Sequence, residues 1–195
     1  ITTILSSPGA GKTTLLRLFS PTILQRITER NTAYKKLKKL EVIDSYHIKK
    51  CGVYLQLGRD YEFLEDDVLF NEIEQKRIFL SLLNARIVLA TLKSLMVLAG
   101  IKYTQLNEIT YTPEEIIPEL GDFKAEYTGK ELLDWVAEQE RKICEFLDSF
   151  VMPEESIQGS SKLFALQAMK ASWFTHNGEN LCEDFIFQID DGHKL

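Results

Sequence analysis

The sequence predicts an α/β domain built on a mainly parallel sheet, and three observations lead there. A β-branched run at the start, Ile1-Thr2-Thr3-Ile4-Leu5, reads as a buried strand and passes through a glycine-bearing loop into a helix-forming stretch. A second apolar run, Phe185-Ile186-Phe187-Gln188-Ile189, ends in two carboxylates, Asp190 and Asp191. Between them lie segments of helical period, the crossovers that parallel strands require.

The loop reads Ser6-Ser7-Pro8-Gly9-Ala10-Gly11-Lys12-Thr13-Thr14 and leads into Leu15-Leu16-Arg17-Leu18-Phe19. Strand, tight loop and helix are the setting of a P-loop. The glycines let the backbone of such a loop turn so that successive N–H groups point inward and cradle phosphate oxygens. The helix N-terminus adds partial positive charge beneath them. On this reading Pro8, Gly9, Ala10, Gly11, Lys12, Thr13 and Thr14 form the ATP-binding loop, with Lys12 reaching the β- and γ-phosphates. The Thr13 hydroxyl coordinates Mg²⁺, and Thr14 binds the α-phosphate. The full pattern opens on Gly where this chain has Ser6, a position that only closes the loop.

A chain of 195 residues with 45% hydrophobic and 27% charged side chains holds one globular domain with a sizeable core. Its opening inside a strand and its close just after Asp191 make it read as a fragment of a longer protein. The net charge of −6 is unevenly spread. Residues 1–50 carry ten basic and three acidic side chains, whereas residues 103–158 carry four basic and fourteen acidic ones. The acidic stretch argues against a protein that simply coats nucleic acid; the basic first quarter leaves room for a phosphate-binding face and a DNA partner. Cys51, Cys144 and Cys182 are scattered, as are His47, His176 and His193, so neither a disulfide frame nor a zinc site is expected. Free thiols and the lack of a visible signal peptide point to the cytoplasm.

The expected elements follow in order. A first helix over residues 13–30 carries Pro21 as a break or bend. Residues 31–50, with Lys35, Lys36, Lys38 and Lys39, read as a solvated helix or loop, with a phosphate-backbone contact as the alternative. Residues 51–58 form a second strand, with Arg59 at its C-terminal end. Residues 70–99 form the longest helix, with a wide apolar stripe and a stop at Gly100. Its run from Leu80 to Ala99 contains Asn84, Arg86 and Lys93, which favours a buried helix over a membrane span. Residues 101–158 read as a helical insertion, with helix starts at Thr112-Pro113-Glu114-Glu115 and Thr128-Gly129-Lys130-Glu131. Residues 160–172 read as another helix, followed by a loop at Asn177-Gly178.

An apolar strand ending in Asp190-Asp191 downstream of a P-loop reads as a Walker B strand. Such sites need an acid at the C-terminal edge of the sheet to hold the Mg²⁺ shell, the role expected of Asp190. The next residue orients the attacking water, which assigns Asp191 to catalysis beside Lys12. Many such enzymes carry Glu at that point, and Asp is shorter. Gln188 is unusual in a buried strand and calls for a hydrogen-bonding partner.

With both motifs in view, the chain resembles the AAA+ superfamily and, within it, the origin-recognition-like branch. The resemblance rests on Gly9-Ala10-Gly11-Lys12-Thr13-Thr14-Leu15-Leu16-Arg17 and on Phe187-Gln188-Ile189-Asp190-Asp191-Gly192-His193-Lys194-Leu195. It implies an ATP-dependent switch or motor, usually oligomeric, often working with DNA or in multi-protein assemblies, including phage-defence systems. Two other readings compete. One is an ABC/SMC-type DNA-repair ATPase, in which Gly159-Ser160-Ser161 is a degenerate signature segment. The other is a regulatory or scaffold module that binds nucleotide without turnover, compatible with Asp191 and the acidic insertion. A small-molecule kinase would need a pattern of lid arginines not found here.

Overall fold

Parallel pairing between two seven-residue strands organises the fold in the computed structural model, which describes residues 17–27, 32–45, 47–56, 72–121, 124–149 and 162–190. Strand β1 (Lys50–Gln56) and strand β6 (Asp184–Asp190) run side by side with Cys51 opposite Phe185 and Gln56 opposite Asp190. Strand β6 is rich in aromatic and β-branched residues, and β1 carries Val53 and Tyr54, types that suit a pleated surface covered by other elements. The structure is thus mixed helix and strand with a small parallel sheet, compatible with α/β, although the expected mainly parallel sheet is not seen among the described residues, where the other four strands pair antiparallel.

Ahead of β1 come two short helices. Pro21 opens α1 (Pro21–Arg26), with Ser20 before it in extended conformation. The expected break at Pro21 is therefore a helix start: the ring forces the preceding residue out of the α region. Helix α2 (Thr32–Lys39) turns Leu37 inward at 2% exposure, against Leu24, Val42 and Ile43. The chain then reverses through a bridge between Ile43 and Ile48 and enters β1. Gly52 sits there by necessity. Its N–H donates to the Phe19 carbonyl at 2.7 Å, and a Cβ at this position would lie 2.9 Å from that of Phe19.

Helix α3 (Glu72–Ala99) matches the expected long helix and ends before Gly100. It is long and apolar enough to cross a membrane by length and composition. In the fold, Ile87, Val88, Leu92 and Leu95 are buried in the core that also holds Val53 and Leu55 of β1. It packs on β1, α1, α4 (Gly129–Ser149) and α5 (Ala165–Ala168).

The segment expected to be a helical insertion is only partly so. It contributes strands β2 (Ile109–Tyr111) and β3 (Tyr127–Thr128) to a four-stranded antiparallel sheet. Strands β4 (Phe174–His176) and β5 (Glu179–Asn180) complete it, in the order β3-β2-β4-β5. The helix expected at Thr112-Pro113-Glu114-Glu115 does not form. Thr112 N–H extends the β-ladder to the Trp173 carbonyl, and Pro118 holds Ile117 in extended backbone. The second expected start does form. Thr128 Oγ1 accepts the Glu131 N–H at 3.2 Å while Glu131 Oε2 accepts the Thr128 N–H at 2.7 Å, a reciprocal capping box opening α4.

The helix expected over residues 160–172 shrinks to α5, because the chain beyond it is drawn into β4. Thr175 pairs with Asn180 and His176 with Glu179, leaving Asn177 (φ 54°) and Gly178 (φ 80°) as a two-residue turn. Positive φ at both central positions matches the right-handed twist of the strands. Tyr111, Phe174 and Phe185 pack ring to ring, so this sheet shares one core with β1 and β6.

Candidate nucleotide site

The parallel pair supplies the one part of the expected site that lies among the described residues. In a parallel α/β sheet, ligands bind outside the carboxyl ends of the strands. Gln56 and Asp190 are the last residues of β1 and β6, in register with each other, so both strands end at the same level. Asp190 therefore stands at the edge where an acid for the Mg²⁺ shell was expected.

The strand beneath it is anchored through its alternate residues. Phe185 is buried and stacks edge-on against Phe174 and Phe187, each at 6.1 Å between ring centroids. On the other face, Gln188 is 6% exposed and lies opposite Tyr54 of β1, so its burial is as the sequence implied.

The loop residues Pro8, Gly9, Ala10, Gly11, Lys12, Thr13 and Thr14 lie outside the described residues, as do Arg59 and Asp191. Among the described residues no group of three His, Cys, Asp or Glu side chains is placed to cage a metal. Mg²⁺ in triphosphate sites takes one or two protein ligands and fills its octahedron with water and phosphate oxygens. A single carboxylate at a strand end is a donor set of that kind.

Two clefts of about 310 Å³ open elsewhere. The first lies beside β1, between Ser20, Gly52 and Tyr54 on one side and Arg86, Lys93 and Ser94 of α3 on the other. The second lies at the start of α4, between Tyr127, Glu131 and Trp135.

Several pairings were not legible in the sequence. Cys51 and Cys182, 131 positions apart in sequence numbering, are both buried and in side-chain contact; hydrogen bonding to Cys51 and burial push the Cys182 thiol up. Lys49 joins Lys38 of α2 in acting on Asp44, because the bridge of Ile43 to Ile48 folds the chain back. Alternating apolar residues flanking Asp44 and Ser45 were the available signal.

No protein-family model, curated protein or solved structure matches this chain.

Proposed function

We propose that the chain binds MgATP and hydrolyses it, as the nucleotide-binding part of an AAA+-like switch or motor. The observation that carries this reading is the pairing of a P-loop sequence, residues 6–14, with a carboxylate at the C-terminal end of a parallel strand, Asp190. The setting proposed for it is an oligomeric or multi-protein assembly in the cytoplasm, of a DNA-associated or phage-defence kind.

In this mechanism the loop amides and Lys12 hold the β- and γ-phosphates and neutralise charge that grows as the γ-phosphoryl leaves. Thr13 contributes its hydroxyl to the metal shell and Asp190 its carboxylate. Mg²⁺ held by these residues would supply positive charge to the phosphates. Asp191 accepts a hydrogen bond from the attacking water and aligns it with the scissile bond. Its side chain is one methylene shorter than Glu, which favours slow turnover.

Steady-state ATP hydrolysis with Mg²⁺, alongside equilibrium ATP binding, tests the reading. Lys12→Ala should weaken binding and abolish turnover. Asp191→Asn should spare binding and reduce turnover by about 10²-fold or more, the scale of a lost general base. Unchanged turnover in Asp191→Asn would remove that residue from the mechanism. Tight binding without turnover in the unaltered protein would favour the regulatory-module reading instead.

A further inference from the structure

The exposed side of helix α2 is a dense cationic surface. At about 100° per residue, Lys35, Lys36, Lys38 and Lys39 span roughly 160° of the helix, centred opposite the buried Leu37. All four side chains are exposed. Lys38 reaches Ser45 at 3.0 Å and Asp44 at 3.7 Å, whereas Lys35, Lys36 and Lys39 have no ion-pair partner among the described residues. Lys49 and Lys50 extend the surface. Their N–H groups both donate to the Val42 carbonyl, which brings the start of β1 against the turn that follows α2. Asp44 is held below its ordinary value by the Ser45 N–H and then by the charges of Lys38 and Lys49.

Such crowding costs stability. Lys35 and Lys39 stand four apart, and the pairs 35/38 and 36/39 three apart, spacings at which like charges repel. The helix dipole favours cations in the last turn but does not account for Lys35, Lys49 or Lys50. Elsewhere the chain neutralises a charged helix: on α4, Lys130 pairs with Asp134 and Arg141 with Glu138 and Glu145. On the α2 face, Lys35, Lys36 and Lys39 have no such partner among the described residues, while Glu183 and Asp184 at the start of β6 flank Lys49 and Lys50.

We propose that the lysine face of α2, extended by Lys49 and Lys50, docks the phosphate backbone of duplex DNA. A regular row of phosphates is the polyanion that several fixed cations over a helix-sized patch complement. An anionic membrane fits less well. Leu37, the apolar side of α2, is packed with Leu24, Val42 and Ile43, and Leu40 is the lone exposed large apolar side chain between residues 32 and 45. No apolar stripe remains to enter a bilayer. Single strands bind over exposed aromatic platforms, and Tyr34, on this helix, is half-buried. The surface adjoins the N-terminal end of β1, whereas Asp190 lies at the opposite end of the strands, about 20 Å away at about 3.3 Å per residue. DNA and nucleotide would thus occupy opposite edges of the same sheet.

The test is fluorescence anisotropy of a labelled duplex of about 30 base pairs and mixed sequence, titrated with the full chain in the absence of nucleotide over a range of salt. The triple variant K35Q/K36Q/K39Q should bind about tenfold or more weakly, and its slope of log K against log salt should fall by about 2–3. The double variant K130Q/K142Q on α4 should match the unaltered protein. Circular dichroism confirms folding, and the single reversal Lys39→Glu provides a second, milder variant that should also weaken binding. Equal affinity and equal slope in the triple variant would overturn the proposal. So would lysine-dependent binding to phosphatidylserine vesicles without binding to duplex. Because no nucleotide is present, Lys12→Ala should leave DNA binding intact, so failure of the ATP reading and failure of this one are separable.

Discussion

Asn84, fully buried in the middle of α3, accepts the backbone N–H of Ala165 at 3.0 Å through its side-chain oxygen. Its side-chain nitrogen donates to the Lys162 carbonyl at 2.8 Å. One polar side chain in an apolar helix thus fixes the start of α5 against the core. A buried amide persists only where both its ends are satisfied, and here the backbone of a distant segment satisfies them.

Replacing Asn84 by Ala removes both bonds and strands the buried N–H of Ala165. The expected loss is about 2–3 kcal/mol, the cost of an unsatisfied buried group added to the missing bonds. Urea denaturation of the purified chain measures it. A loss below about 0.5 kcal/mol would show that the 162–165 segment finds other partners.

The capping box at α4 makes a pH-dependent contribution. Hydrogen bonds from Lys124 and from the Thr128 backbone hold the Glu131 carboxyl near 2, below its ordinary 4.5. A carboxylate whose folded value is depressed stabilises the fold above its unfolded value and loses that contribution as pH falls toward the folded one. The stability advantage of the unaltered chain over Glu131→Gln should therefore be constant above about pH 5.5 and shrink between about 4.5 and 2. Thr128→Ala should cost about 1 kcal/mol at neutral pH. A Glu131→Gln difference that does not change with pH would show that the carboxylate charge adds nothing to the cap.

Thiol reactivity should divide the three cysteines. Cys144 on α4 is exposed, whereas Cys51 and Cys182 are buried in contact with each other. A thiol pushed up by burial and by its neighbour yields little thiolate, and thiolate is the reactive form. Alkylation of the native chain at pH 8, followed by peptide mass analysis, should label Cys144 within minutes and leave the other two until denaturant is added. Labelling of Cys182 at the rate of Cys144 would mean that the β1 and β6 ends open readily.

Much of the element order was readable in advance, and for stated reasons. Helix α3 declares itself by a long apolar stripe, and Thr128 to Glu131 by a cap whose partners are all local. Asn177-Gly178 marks its turn through a backbone requirement that few residue pairs meet. The failures are non-local. Residues 112–115 carry an equally good cap pattern, but the Trp173 carbonyl, some 60 positions later, claims the Thr112 N–H for a sheet. Residues 160–172 have helical composition, yet Phe174 is drawn to Tyr111 and ends the helix after one turn.

The same division holds for the proposed sites. By itself the sequence carries the P-loop pattern around Lys12, the run ending in Asp190 and Asp191, and the lysines of α2, because each is a short run whose chemistry depends on immediate neighbours. Only the tertiary structure decided that β1 and β6 lie parallel with Gln56 beside Asp190, that Cys51 meets Cys182, and that Lys49 and Lys50 join the α2 face. Those outcomes depend on which distant apolar surfaces bury one another. Hydrophobic burial rewards area without regard to sequence separation, so periodicity alone does not encode its partners.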